Sequence, residues 1–422
     1  MTTAVLFGSF AALLVLTVPI GIALAIATLI TIVFSGNMPL QFLAKELVTS
    51  VDSFPLLAVP FFVLAGEIMG KGGISKRLFG VASSMVGNKT GGLAIATIIT
   101  CMFFAAISGS GPATVAAIGG VMIPFMVQEG YDKSFATATV AAAGSIGIII
   151  PPSIPMVMFG VTASASVGDL FISGIIPGVL VGLAMMVWAW YYSKKMGYKG
   201  VAEKTSLKKI GQAIWDAKWA LLIPIIILGG IYGGIFTPTE AAVVAVVYGL
   251  FAAMVLYREL SFKELPKLIY ESALTTATVL IIVGAANAFG RLLTIEQIPN
   301  KIANWLMTIS SNPTVIILLI MALLLFVGMV MDPIAAIIIL TPILLPVVTQ
   351  VGYDPIHFGV LMIINLAIGY FTPPVGVNLF VGSSISGVPM GALSKAAIPY
   401  MVSMIIILLL VTFLPQIALL FV

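Results

Sequence analysis

The sequence predicts an all-α polytopic membrane protein built from inverted repeats, with two re-entrant helical hairpins and two broken helices. Three observations predict it: an apolar composition, runs long enough to cross a bilayer, and Gly and Pro positions that recur at a fixed offset. Of the 422 residues, 61% are hydrophobic and 8% charged, and the mean hydropathy is +1.21. Soluble domains carry about 25% charged residues, so no sizeable extramembrane domain fits. The formal charge of +4 comes from a few lysine-rich connections and does not point to nucleic acid. A lone Cys101 excludes an internal disulfide framework, and a lone His357 excludes a zinc or haem site that needs several imidazoles.

Apolar runs of about twenty residues cross a hydrocarbon core. They occur near 5–34, 172–192, 219–236, 239–257, 273–293 and 399–421, with a shorter one near 55–70. The run at 5–34 follows Met1-Thr2-Thr3 without a basic leader region, so it reads as a retained first span. Three further regions, 92–128, 134–168 and 313–386, are apolar but interrupted by Gly, Pro and Ser.

Charge sets the orientation. The connection 71–89 holds Lys71, Lys76, Arg77 and Lys89 without an acid, and 193–209 holds six lysines against Glu203. Arg258, Lys263 and Lys267 mark a third basic connection. All three read as cytoplasmic, whereas 35–53, with Lys45, Glu46 and Asp52, reads as outside. With the N-terminus cytoplasmic, 92–128 must enter and leave on one face, as a hairpin broken at Ser108-Gly109-Ser110-Gly111-Pro112. The same logic makes 313–350 a second hairpin, broken around Met331-Asp332-Pro333, and leaves the C-terminus outside.

The chain resembles itself at a shift of 222 positions. Gln128, Gly130, Tyr131 and Asp132 recur as Gln350, Gly352, Tyr353 and Asp354. Without gaps, Pro124 meets Pro346, Gly147 meets Gly369, Pro151-Pro152 meets Pro373-Pro374, Ser164 meets Ser386 and Pro177 meets Pro399. The expected organisation is a first repeat, 1–212, with hairpin 92–128 and broken helix 134–168; a linking helix, 213–237; and a second repeat, 238–422, with hairpin 313–350 and broken helix 356–386. The odd linking span inverts the second copy. Inverted repeats whose broken helices meet at the midplane are the architecture of secondary transporters.

At such breaks, unwound carbonyls and helix-dipole ends supply oxygen ligands for a small cation. One candidate site joins the tip 108–111 to the break 147–153, and the other joins 328–333 to 369–375. Hydroxyls of Ser108, Ser110 and Thr372 add oxygens without a carboxylate cluster, a set that suits Na⁺ better than Ca²⁺ or Zn²⁺. Asp332 reads either as an intramembrane functional acid or as the N-cap of the half-helix that follows. For an anionic substrate, Ser110, Thr114, Asn378, Ser383 and Ser384 are candidate neutral donors beside helix N-termini. Glu67, in a short apolar span, reads either as a buried functional acid or, close to the basic loop, as reaching the interface or a Lys partner; Arg291 with Glu296 reads as a snorkelling span end, and His357 as interfacial. Gly229, Gly230, Gly233 and Gly234 form a small-residue face for another helix.

Val18-Pro19-Ile20-Gly21, Val59-Pro60-Phe61-Phe62 with Gly66-Glu67, Ser108 to Thr114, Gly144 to Pro152 and Phe371-Thr372-Pro373-Pro374-Val375-Gly376-Val377-Asn378 together resemble the large membrane subunit of tripartite ATP-independent periplasmic (TRAP) transporters. The resemblance covers essentially the whole chain. It implies a bacterial inner-membrane, Na⁺-driven importer of organic acids that works by an elevator movement of a transport domain against a scaffold. It also implies a separate small four-helix membrane subunit and a periplasmic substrate-binding protein as partners, within membrane lipid. Carried over by motif, the first sodium site would be Ser108, Ser110, Gly147, Ile150 and Pro152, and the second Gly328, Gly369, Thr372 and Val375. Relatives take C4-dicarboxylates, sialic acid and other carboxylates, and overall similarity favours sialic acid.

The alternative is a self-sufficient Na⁺ or H⁺ symporter for dicarboxylates that needs no binding protein. An intramembrane enzyme would need an acid cluster, a Ser/His or Asp/Asp pair or metal ligands near the interface, and the sequence offers none. A channel would need a ring of pore-lining residues.

Overall fold

The computed structural model describes residues 2–36, 38–200, 206–299, 301–302 and 312–422. Glu203 and Lys204 of the second basic connection lie outside the described residues. Among the described residues every regular element is helical, and nine helices are long and apolar enough to cross a membrane.

The first span departs from expectation. Residues 5–34 do not form one crossing; they form α1 (Thr2–Val15) and α2 (Ile20–Ser35). Pro19 lacks the N–H that a continuing helix needs and disfavours helical geometry at the preceding residue. Thr17 turns into the left-handed region at φ 59°, and the Val18 N–H closes the turn on the Leu13 carbonyl at 3.0 Å. The two helices fold back on each other. Phe7 and Phe10 of α1 meet the Phe289 ring at 6.0 and 5.6 Å, while Ile32 of α2 packs with Ala288 one residue away.

Beyond a short α3 (Gln41–Thr49), the expected span near 55–70 is a 3₁₀ turn at Phe54–Leu57 running into α4 (Ala58–Lys71), followed by α5 (Ile74–Val86). The first interrupted region forms α6 (Gly92–Ser108) and α7 (Gly111–Gln128). The second forms α8 (Lys133–Gly144), a 3₁₀ turn at Ser145–Ile148 and α9 (Ile154–Ala163). Three long helices come next: α10 (Val167–Met196), α11 (Leu207–Tyr232) and α12 (Pro238–Leu250), the last continuing as a π-helix over Phe251–Leu256. After α13 (Leu265–Ile295), the remaining interrupted region forms α14 (Pro313–Val330), α15 (Pro333–Gln350), α16 (Pro355–Gly369) and α17 (Val377–Ser386). The chain closes with α18 (Met390–Phe413) and the short α19 (Gln416–Leu419).

Local chemistry explains the boundaries. Ser110, Asp132, Ser153, Ser166, Asp332 and Asp354 each cap the helix they precede by accepting a backbone N–H. Thr237 and Glu240 form a reciprocal capping box. Proline stands in the first turn where its missing N–H costs nothing, as at Pro238, Pro313, Pro333 and Pro355. Local geometry recurs at the 222-residue offset. Gly130 and Gly352 have φ of 86° and 91°, and the Pro151-Pro152 and Pro373-Pro374 peptides are both cis. Ser110 and Asp332 cap equivalent half-helices.

The basic connections gather at one end. Arg77 Nη1 pairs with Glu259 Oε1 at 2.6 Å and stacks over the Tyr257 ring at 3.7 Å, and Lys71 pairs with Glu271 at 2.7 Å. Both feet of the α6–α7 pair are there too. Gly91 lies against Ser193, and the Asp132 N–H donates to the Tyr198 hydroxyl at 3.0 Å. The α13 helix, about 46 Å long at 1.5 Å per residue, runs from this end to the opposite one, where Arg291 pairs with Glu46 rather than Glu296, at 2.6 Å. The exit of α15 lies at that far end as well. His357 there is buried, with Nε2 2.9 Å from the Val411 carbonyl near the end of α18. The small-residue face of α11 receives no second helix: Gly230 accommodates the Phe236 ring, and Gly229 and Gly234 have nothing within 4 Å of an added β-carbon among the described residues.

Candidate functional site

The first break is an oxygen-rich knot. Ser108 Oγ lies 2.9 Å from Thr114 Oγ1, which donates to the Ser110 carbonyl at 2.7 Å. A β-carbon on Gly147 would stand 2.6 Å from that carbonyl and 2.8 Å from Thr114 Oγ1, so only glycine leaves this space open. The tip is tied to the break by the Ile154 N–H, which donates to the Gly109 carbonyl at 3.2 Å, and a β-carbon on Gly109 would lie 2.9 Å from the Pro152 carbonyl. The structure thus brings Ser108, Ser110, Gly147 and Pro152 together, with Thr114 added. The Ile150 side chain points away, against Gly178 of α10, as it can if only its carbonyl serves the site.

At the second break, Gly369 abuts the Gly328 carbonyl so closely that a β-carbon would overlap it. The Val375 N–H donates to the Met329 carbonyl at 3.2 Å, and Thr372 Oγ1 donates to the Ile368 carbonyl at 2.6 Å. Gly328, Gly369, Thr372 and Val375 therefore meet. Both knots are built from hydroxyl and carbonyl oxygens, and no group of three His, Cys, Asp or Glu residues capable of holding a metal occurs among the described residues. Hydroxyl and carbonyl oxygens drawn together where glycines let the backbones approach closely are donors of the kind that suit a monovalent hard cation.

Between the knots lies a cavity of about 500 Å³. Ser108, Ser110 and Pro112 of the first tip, and Asp332 and Ile334 of the second, form one side. Val63, Gly66 and Glu67 of α4, with Thr275, Thr278 and Val279 of α13, form the other. Tyr370, at the second break, and Ile154, just after the first, also line it. Asp332 is an N-cap, its Oδ1 accepting the Ile334 N–H at 2.8 Å, and its Oδ2 accepts the Tyr370 hydroxyl at 3.2 Å in the cavity wall.

Of the six candidates Ser110, Thr114, Asp332, Asn378, Ser383 and Ser384, Ser110 and Asp332 line this cavity and the other four do not. Thr114 is turned into the first knot. Asn378 Nδ2 donates to the Ala141 carbonyl at 3.1 Å, and its side chain rests on Gly111. Ser383 Oγ donates to the Val388 carbonyl at 2.7 Å, closing the turn after α17. Two residues the sequence reading did not place here are Glu67 and Tyr370. Among the described residues Glu67 makes no ion pair within 4 Å, and Lys71, one turn away, pairs with Glu271. Tyr370 carries a visible signal: it is the one residue with a side-chain hydroxyl besides Thr372 within the break 369–375.

The chain matches the family model described as "Tripartite ATP-independent periplasmic transporter, DctM component" over residues 7–417. It belongs to the DctM family. It is 52% identical over 417 residues to the isethionate TRAP transporter permease protein DctMQ of Oleidesulfovibrio alaskensis, covering 99% of this chain and 66% of that one, so the chain spans about two thirds of that relative's length. It is 43% identical over 397 residues to the C4-dicarboxylate TRAP transporter large permease protein DctM of Pseudomonas aeruginosa, covering 94% and 93% of the two chains. The crystal structure of the Alcanivorax borkumensis YdaH transporter shares the fold, with a TM-score of 0.62 at 16% identity over 89% of each chain. A DctM-family chain with nine apolar helices of spanning length among its described residues is a multi-pass inner-membrane permease, a transport component and not an enzyme.

Proposed function

We propose that this DctM-family permease imports an organic anion across the bacterial inner membrane, driven by co-transported Na⁺, with substrate delivered by a periplasmic binding protein and with a small four-helix membrane subunit as a further partner. Both helix tips, both broken helices and two through-going helices converge on a single cavity, and that convergence carries the assignment. Ser108, Ser110, Gly147, Ile150 and Pro152 would hold one sodium ion, and Gly328, Gly369, Thr372 and Val375 the other. Bound cations supply positive charge beside a cavity whose lining includes no lysine or arginine. Ser110 and Asp332 are the proposed substrate contacts.

The relatives' names favour an isethionate-like or C4-dicarboxylate anion, and sialic acid, favoured from the sequence, belongs in the same panel. Placing the basic connections in the cytoplasm puts Glu46, Arg291 and the end of α18 on the periplasmic side. The fold-back of α1 on α2 then puts Thr2 on the periplasmic side as well, in place of the cytoplasmic N-terminus expected from a single first span. In an elevator cycle, the tips and broken helices would move as a body past α4 and α13. The Gly66–Ser108 contact, where a β-carbon on Gly66 would lie 3.3 Å from Ser108 Cα, is a close, side-chain-poor seam of the kind such movement uses.

The test is uptake of radiolabelled isethionate, succinate and sialic acid into proteoliposomes under an inward Na⁺ gradient, with the small subunit and binding protein added or omitted. Uptake of one anion that requires sodium and all components is expected. Uptake by this chain alone would replace the proposal with a self-sufficient symporter.

A further inference from the structure

Tyr370 is where the two tips and the second break meet. Its side chain is 5% exposed and lines the cavity. Its hydroxyl donates to Asp332 Oδ2 at 3.2 Å. On the first tip, a β-carbon on Gly111 would lie 3.1 Å from Tyr370 Cδ2, so the ring is seated on bare backbone. Its main chain belongs to the break: the N–H donates to the Leu366 carbonyl at 3.0 Å, and the carbonyl accepts the Asn378 N–H at 2.9 Å. Gly369 precedes it and Thr372 follows two residues on, both in the second proposed cation set.

The cavity lining carries two carboxylates, Glu67 and Asp332, and no basic side chain. An organic anion entering it meets like charge, and an unscreened acid there opposes binding. We propose that Tyr370 is a positioning residue that couples the second cation site to anion binding by holding Asp332. While the break keeps its present shape, the Tyr370 main chain is fixed, and the phenol occupies one carboxylate oxygen and draws its charge away from the anion. When the break loosens, the hydroxyl leaves Asp332, and the free carboxylate repels the ligand. Cation and anion then reinforce each other's binding, and this must hold in both directions. The proposal rests on the sodium-symport reading above.

The test uses the full complex and whichever of isethionate, succinate and sialic acid gives the highest uptake. The coupling factor is the ratio of substrate KM at limiting sodium to KM at saturating sodium, and allosteric couplings span about 5- to 150-fold. A second readout, independent of transport, is the unfolding midpoint with sodium, with anion and with both, since ligands that bind the folded state raise it. Wild type is expected to show a factor of about fivefold or more and a joint shift larger than the sum of the separate ones. Tyr370→Phe should bring the factor close to one and make the shifts additive. Asp332→Asn, which has no charge to screen, should do the same, and Tyr370→Phe added to it should cause no further loss of coupling. A Tyr370 that merely props the fold would lower turnover equally at all sodium concentrations. An unchanged coupling factor in Tyr370→Phe overturns the proposal while leaving sodium symport standing. A wild type without sodium dependence overturns both.

Discussion

Gly369 rests directly on the carbonyl of Gly328, forty-one residues earlier, with no room for a side chain between the two backbones. This approach joins the second tip to the second break, and it needs glycine at 369, whereas a β-carbon on Gly328 would meet its neighbours at 3.3 Å. Gly369→Ala forces a methyl into main chain that cannot yield as a flexible side chain would. Overpacking of this kind costs about 1–3 kcal/mol. A lower unfolding midpoint together with loss of sodium-dependent uptake is the expected outcome, and full uptake at unchanged midpoint would show that the tip and break can part freely.

Thr372 Oγ1 bonds the Ile368 carbonyl inside the same knot. Thr372→Ala removes one oxygen from the second proposed cation set while leaving the apolar packing in place. The sodium concentration for half-maximal uptake should rise about tenfold, equivalent to about 1.4 kcal/mol, with partner assembly intact. An unchanged sodium dependence would remove Thr372 from the site.

Asp332 does two jobs that substitution can separate. Asparagine caps helices about as well as aspartate, whereas alanine costs about 1 kcal/mol. Asp332→Asn should therefore unfold at nearly the wild-type temperature, and Asp332→Ala below it, while both alter substrate KM. If Asp332→Asn transports with wild-type KM at every sodium concentration, the acid is a cap alone.

Glu46 is 6% exposed, and its carboxylate is held by Arg291 at 2.6 Å. Arg291→Leu leaves that carboxylate buried without its partner, a situation that costs about 1–3 kcal/mol. Arg291→Leu combined with Glu46→Gln should recover most of the loss. Thermal unfolding of the two variants decides it, and equal loss in both would mean that the pair contributes through packing rather than charge.

The fold-back of α1 on α2 predicts which positions share a side of the membrane. The lone Cys101 is fully buried, so single cysteines introduced at Thr3, Ser35 and Lys199 can be labelled without a cysteine-free background. An impermeant thiol reagent should reach the first two from one side and the third from the other. Labelling of Thr3→Cys and Lys199→Cys from the same side would restore the single first crossing.

Much of this was legible in the sequence because its signals are local. The spans near 172–192, 219–236 and 273–293 announce themselves by length and apolarity, and the breaks by Gly, Pro and hydroxyl residues packed into short intervals. The first span was misread because a hydropathy run does not register a four-residue turn: Thr17 and Pro19 lie inside it without interrupting its apolar character. Glu67 and Tyr370 were missed for a different reason. Their meeting in one cavity depends on α4 crossing in front of two tips that lie more than 200 residues apart in the chain, and no spacing rule encodes that. Arg291 likewise found its acid 245 residues upstream rather than in the neighbouring turn.

In the proposed elevator movement, the seam between Gly66 and Ser108 takes on a mechanical meaning. Side chains that interdigitate across an interface act as teeth, and each must lift clear before the surfaces can slide. Two backbones meeting over a glycine and a small hydroxyl residue form a bearing instead: they locate one part against the other without locking it. Resistance to travel then comes from what the cavity and the breaks hold, so a bulky residue at position 66 would act as a brake on movement even where every ligand still binds.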